Sequence, residues 1–70
     1  MIDKTINYNG KEYYKIRRIK GKKSEYVEYI NDETRKIKFF EIEAGSLCEV
    51  KDKRDLDEAI KKNYLINQYF

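Results

Sequence analysis

The sequence predicts an α+β protein: an antiparallel β-meander of four or five strands, strongly curled into a small barrel-like sheet, followed by one C-terminal helix. Three observations predict this fold class. Most of the chain alternates apolar and polar residues with the period of a strand. Two tight-turn signals, Asn9-Gly10 and Ala44-Gly45, separate neighbouring alternating segments. After Asp52 the period becomes helical. We therefore expect the 70 residues to form a single domain.

Turns set the expected strand boundaries. Asn9-Gly10 joins the first two strands, and Ala44-Gly45 joins the last two. Between them we expect a two-residue turn at Gly21-Lys22 and a three-residue loop at residues 32–34. Each strand then pairs with its neighbour in sequence. The predicted elements are strands at about residues 2–8, 11–20, 24–30, 35–43 and 47–51 and a helix at about residues 55–68.

The expected register divides the sheet into two faces. A turn at Gly21-Lys22 places Arg18 opposite Glu25, a pair of opposite charge. It also places Ile16 opposite Val27, a pair that packs well. One face should form the core beneath the helix, and its residues are Tyr14, Ile16, Val27, Tyr29, Ile37, Phe39 and Val50. The other face carries Ile6, Tyr13, Arg17, Tyr26, Ile30, Phe40, Ile42 and Leu47.

The second face has two interpretations. Strong twist could curl the strands until this face forms a second small core. Alternatively, Arg17, Tyr26 and Phe40 stay exposed and bind a partner, because arginine and aromatic side chains dominate the energetics of interfaces. Alternation alone does not choose between the two.

The predicted helix begins at Asp55, which starts a capping box. Its apolar stripe, within residues 56–60, should lie on the sheet. At ~100° per residue, Leu65 and Tyr69 point away from that stripe. We therefore expect Leu65, Tyr69 and Phe70 to contact a partner protein or a second copy of the chain. The alternative is that the helix bends and these side chains close the open end of the barrel.

The opening segment Tyr8-Asn9-Gly10-Lys11-Glu12 and the order of elements resemble small SH3-like barrels with a C-terminal helix, including the archaeal seven-kilodalton chromatin proteins. Size and lysine content are also similar. The resemblance covers little more than that opening. The DNA-facing tryptophan of that family has no counterpart, because this chain has no Trp. The resemblance bears on the fold and does not license a function.

Charge favours a protein partner over nucleic acid. The net charge of +3, from 16 basic and 13 acidic residues, is small for a dedicated nucleic-acid coat. The alternative is direct DNA or RNA binding by the basic hairpin at residues 17–23, with an aromatic ring as stacking platform. Its candidate contacts are Lys15, Arg17, Lys20, Lys22, Lys23 and Tyr26. A third alternative is a structural homodimer.

Composition argues against catalysis. The chain has no histidine and one cysteine, Cys48, which excludes internal disulfides and removes the usual zinc and iron ligand sets. A nucleophile would lack an imidazole base, and we expect Cys48 to pack in the core. We therefore expect no enzyme and no cofactor. No segment approaches the ~18–20 apolar residues of a membrane span, and we expect a cytoplasmic protein.

We expect a small non-catalytic binding protein, monomeric or homodimeric, that acts through a protein–protein interface. The enrichment in Lys, Ile, Asn and Tyr is typical of an AT-rich coding genome, as in many low-GC bacteria and their phages. If the gene belongs to a phage or mobile element, the expected function is stoichiometric inhibition of a host defence enzyme in the host cytoplasm, as anti-CRISPR proteins do.

Overall fold

The computed structural model describes the backbone of residues 2–68 and the side chains of residues 2–63. Its elements are β1 (Thr5–Tyr8), β2 (Lys11–Lys20), β3 (Glu25–Asn31), β4 (Ile37–Glu43), β5 (Ser46–Cys48) and α1 (Lys53–Gln68). The strands form one antiparallel sheet in the order β1-β2-β3-β4-β5, which curls into a half-barrel. The predicted fold class is confirmed.

Two turns have the geometry that the sequence predicts. Asn9-Gly10 has φ angles of 52° and 77°, and Ala44-Gly45 has 51° and 79°. Positive φ at both positions is what a two-residue type I′ turn requires. Ile6 accordingly lies opposite Tyr13, and Ile42 lies opposite Leu47 across the second turn, as these turns predict. β5 ends at Cys48, before the predicted bound at residue 51.

The predicted register between β2 and β3 is wrong, because the connection is wider than expected. Lys20 pairs with Glu25, so residues 21–24 all lie in the β2–β3 loop. The carboxylate of Asp55 accepts hydrogen bonds from three successive backbone N–H groups of this loop, at 3.0, 3.2 and 3.3 Å. These bonds stabilise a four-residue loop in place of a two-residue turn.

A bulge in β2 changes the register a second time. Arg17 pairs with Glu28, while Ile16, which we expected opposite Val27, has no partner across the strand. One extra residue in one strand interrupts the alternation of sides. Relative to Arg17, residues 11–15 therefore face the side opposite to the one that unbroken alternation would give.

The register between β3 and β4 differs by one residue from the prediction, because their loop is also longer. Val27 pairs with Phe40 rather than with Phe39. The side-chain oxygen of Asn31 accepts hydrogen bonds from the N–H groups two and three residues further on, at 3.0 and 2.9 Å. Arg35 completes the loop with a φ of 61°. A one-residue slip exchanges the two faces of a strand.

Helix α1 covers part of one face of the sheet, which we call the helix face. Tyr26 is fully buried there and packs with Leu56 and Ala59, so the predicted helix stripe is confirmed. The expected composition of this core is partly wrong, because the register changes move two residues to the other face and α1 leaves three others uncovered. Phe39 and Val50 lie against it as predicted, whereas Val27 and Tyr29 belong to the other face and Tyr14, Ile16 and Ile37 are exposed.

The opposite face, which we call the inner face, forms a second core inside the curl. Tyr8 reaches across from β1 and meets the ring of Phe40 edge-on, with 5.3 Å between centroids. Its hydroxyl donates a 2.9 Å hydrogen bond to Glu49. Side chains thus bridge the two edges of the half-barrel, and of the two interpretations the second small core is the one found. Its residues are Val27, Tyr29 and Phe40, with Ile2, Ile6, Tyr8, Tyr13, Ile42 and Leu47 partly buried around them. Arg17, Tyr26 and Ile30, which we assigned to the inner face, lie on the helix face instead.

The helix begins two residues earlier than predicted. Its cap is Asp52, whose Oδ1 accepts a 3.1 Å hydrogen bond from the backbone N–H of Asp55. Asp55 is therefore not the cap. It lies in the first turn of α1, where its own carboxylate is available to the β2–β3 loop.

Candidate functional site

Two aromatic residues that we expected at the surface are core residues. Tyr26 is 0% exposed and Phe40 is 5% exposed. Burial, followed by a hydrogen bond to Asp55, raises the pKa of Tyr26. The expected exposure of both rings is wrong, so neither can meet a partner or stack on a base in this fold.

The basic hairpin keeps exposed charge without an aromatic platform. Lys20 and Lys22 are exposed. The ammonium group of Lys23 is also exposed but pairs with Asp52 at 3.1 Å. Binding of single-stranded nucleic acid combines positive charge with stacking on aromatic side chains. Because Tyr26 is buried, this hairpin offers positive charge but no aromatic surface for stacking.

Arg17 combines a structural contact with partial exposure. Its Nε lies 2.9 Å from Oε1 of Glu28, whose side chain is 5% exposed, while the side chain of Arg17 is 36% exposed. A buried carboxylate requires such a partner. Arg17 therefore supports the sheet and still presents part of its side chain to solvent. Lys15, before the bulge, lies on the inner-face side and is half-buried.

Three predicted contacts fall outside the described residues. The side chain of Leu65 lies beyond residue 63, and Tyr69 and Phe70 lie beyond residue 68. That this segment contacts a partner stays a prediction.

A row of apolar side chains crosses the helix face beyond the area that α1 covers. Tyr14 lies directly opposite Ile30, and Ile30 lies directly opposite Ile37, so the three share one face on adjacent strands. Tyr14 is 43% exposed and Ile37 is 50% exposed. Ile16, the bulge residue next to this row, is 41% exposed. We call Tyr14, Ile30 and Ile37 the apolar row.

The distance along β3 explains why the helix does not cover the apolar row. Tyr26, beneath the helix, and Ile30, in the row, are four residues apart on the same face. At ~3.3 Å per residue this is about 13 Å, so the row lies well away from the position on β3 that Leu56 and Ala59 cover. Tyr14, Ile16 and Ile37, expected in the core, are therefore exposed, because the helix covers only part of this face.

A groove of 440 Å³ lies between α1 and the β2–β3 loop. Asp55, at its base, already accepts four hydrogen bonds from the protein. The bond from Tyr26 and those from the loop amides hold the pKa of Asp55 below its ordinary value. The rim has mixed charge, so the groove favours no particular ligand. Its lining residues include Ile19, Lys20, Lys22, Glu58, Ala59 and Lys62.

Within residues 2–63, Glu41, Glu43 and Cys48 bring three potential metal-ligand atoms within 4.8 Å of one another. Lys51 already places its ammonium group against Glu43, which lowers the pKa of that carboxyl, and its backbone N–H donates to Glu41. Burial raises the pKa of Cys48, so the thiol stays protonated at neutral pH. The donors are thus engaged in an ion-pair cluster. Cys48 is half-buried and lies in neither core, contrary to expectation.

No protein-family model, curated protein or solved structure matches this chain. Its function must therefore be argued from the geometry. In the part of the chain that the structure describes, no helix is long and apolar enough to cross a membrane.

Proposed function

We propose that this chain is a small non-catalytic binding protein that acts through a protein–protein interface centred on the apolar row and Ile16. One observation carries the proposal: Tyr14, Ile16 and Ile37 are 43%, 41% and 50% exposed on a sheet that otherwise buries its large apolar side chains on both faces. An exposed apolar patch with a polar rim is typical of a protein-docking surface.

The position of the row also supports binding. Its three residues lie on adjacent paired strands, so their backbone is already ordered before a partner arrives. Ordering cost is a large part of the free energy that opposes association. Arg17 lies beside the row with more than a third of its side chain accessible, and arginine and tyrosine are enriched among the residues that dominate binding energy.

Within this proposal the protein acts by occupying a surface of its partner in the cytoplasm. The amino-acid usage is typical of AT-rich genomes, of low-GC bacteria and of their phages alike. If the gene belongs to a phage or mobile element, the occupied partner is a host defence enzyme and the binding inhibits it stoichiometrically. Direct nucleic-acid binding has less support, because the stacking residue that it requires, Tyr26, is buried.

Affinity capture from a lysate of the source organism tests the proposal. The baits are the wild-type chain, the Ile37→Lys variant and the Asp57→Lys variant, which adds charge at an exposed position of α1 away from the row. We expect wild type and Asp57→Lys to capture the same protein in near-equal molar amounts and Ile37→Lys to lose it. Circular dichroism verifies that all three baits are folded.

Capture that survives Ile37→Lys contradicts the assigned surface. Recovery of nucleic acid in a salt-sensitive manner by all three baits favours the DNA- or RNA-binding alternative instead.

A further inference from the structure

We infer that the apolar row fits a second copy of this chain, which packs its own row on the first in an antiparallel, two-fold arrangement. The inference rests on the proposed function, because it takes the same surface as the interface, and it adds that this surface is self-complementary, so that a second copy occupies it when no other partner is bound. Two features of the helix face carry it: the charges on either side of the row and the position of α1.

Opposite charges lie at equal distances on the two sides of the row. Tyr14 pairs with Ile30, and Arg17 pairs with Glu28, which lies two residues from Ile30 on β3. Because of the bulge, Arg17 therefore lies only two paired positions from Tyr14, although the two are three residues apart in sequence. Glu12 lies two residues from Tyr14 in the other direction and on the same face. Each charge is thus about 7 Å from the row.

A two-fold axis along the row brings these opposite charges of the two copies together. It lays β2 of one copy antiparallel on β2 of the other, so that Arg17 of each copy meets Glu12 of the other and each residue of the row meets its own counterpart. Both charged side chains are accessible, since Glu12 is exposed and Arg17 is 36% exposed. The hydroxyl of Tyr14 donates to Glu12 and holds that carboxylate beside the row.

The position of α1 selects the same orientation. The helix stands on the part of the helix face around Tyr26, with a thickness of about 10 Å. An axis parallel to the strands would bring helix onto helix and leave Arg17 of both copies at the same end of the interface, away from Glu12. An axis along the row places the helix of the second copy at the opposite end of the interface. The end of the second sheet that carries no helix then lies beside the helix of the first copy.

The size of the row sets the strength of the association. A standard interface buries about 800 Å² on each partner, more than three partly exposed side chains and their neighbours provide. We therefore expect a weak dimer, with a dissociation constant on the order of 0.1–1 mM.

Sedimentation equilibrium of the full chain, from about 10 µM to about 1 mM, tests the inference. We expect the wild-type mass to rise toward that of a dimer and Ile37→Lys to remain monomeric. Glu12→Lys places a lysine opposite Arg17, and we expect it to raise the dissociation constant about tenfold. Asp57→Lys makes the same change of charge away from the row and should leave association unchanged.

A wild-type protein that is monomeric at about 1 mM overturns the inference. A dimer that survives Ile37→Lys overturns the surface, and one that is lost in Ile37→Lys but unaffected by Glu12→Lys overturns the antiparallel arrangement. The affinity capture separates the two proposals. A monomer that captures a protein through the row contradicts only the second copy, whereas a monomer that captures nothing contradicts the proposed function as well.

Discussion

The hydroxyl of Tyr26 donates a 2.8 Å hydrogen bond to Oδ2 of Asp55, and both residues are buried. The same carboxylate accepts three backbone N–H groups of the β2–β3 loop. One side chain in the first turn of α1 therefore ties the central strand, its preceding loop and the helix together. This contact determines how the helix is placed on the sheet and which part of the helix face it leaves open.

Removal of one donor measures the strength of this contact. We expect Tyr26→Phe to lower the free energy of unfolding by about 1.5–3 kcal/mol, as is typical for a hydrogen bond to a charged group. Tyr29→Phe is the matched control, because its hydroxyl donates to the uncharged backbone carbonyl of Asp3 at 2.7 Å, and it should cost about 0.5–1.5 kcal/mol. Urea denaturation measures both. Equal losses would contradict the special role of Asp55.

Acid should weaken the fold through two aspartates of the helix start. Hydrogen bonds from Tyr26 and the loop amides lower the pKa of Asp55. The N–H of Asp55 and the ammonium of Lys23 lower the pKa of Asp52. A carboxyl whose pKa is lower in the folded state stabilises the fold above its unfolded pKa of about 4, and this stabilisation is lost as pH falls through the folded pKa.

We therefore expect the melting temperature to fall below about pH 4. Asp55→Asn should melt lower at neutral pH and show a shallower acid dependence, as measured by circular dichroism. If the melting temperatures of wild type and Asp55→Asn fall equally with pH, other carboxyls dominate the acid dependence of stability.

Gly21 is required by close approach and not by its φ angle. A Cβ at this position would lie 2.5 Å from Oδ2 of Asp55 and 2.9 Å from Cε2 of Tyr26. We expect Gly21→Ala to cost about 1–3 kcal/mol, as overpacking does. The cost should shrink in an Asp55→Ala background, where the nearest atom is gone. A double-mutant cycle without coupling between the two positions would refute the steric explanation.

Core and row residues should respond differently to truncation. Phe40→Ala removes a ring that is 5% exposed, and we expect a loss of about 3–5 kcal/mol. Ile37→Ala alters a side chain that is 50% exposed, and its cost should stay within about 0.5 kcal/mol. Only Ile37→Ala should weaken association without loss of fold. Thermal denaturation and sedimentation of the same two proteins check both expectations.

The features that the sequence predicts correctly depend on neighbouring residues. Positive φ at Asn9-Gly10 and at Ala44-Gly45 follows from the turn residues themselves, and the helix stripe follows from spacing within one element. Fold class then follows from the order of strands and helix. None of these requires knowledge of a distant contact.

The register of β3 with its two neighbours depends on contacts that alternation does not encode. The β2–β3 loop is wide because of Asp55, which lies about thirty residues away in sequence. The bulge at Ile16 leaves no local sequence signal. At the other loop, Asn31 is a recognisable turn residue. A side-chain turn that begins at Asn31 predicts the longer β3–β4 loop and hence the observed register. These shifts explain why Tyr26 lies beneath the helix and not at the surface. Ile37 stays on the predicted face and is exposed because α1 does not cover that part of the sheet.

The apolar row shares no residue with either core cluster. If the row is the binding surface that we propose, folding and recognition depend on different positions of this short chain. A substitution at Tyr14, Ile16 or Ile37 can change what the protein binds while the free energy of unfolding stays nearly constant. Selection can then redirect the surface in single steps, and descendants with this same fold need not keep the same partner.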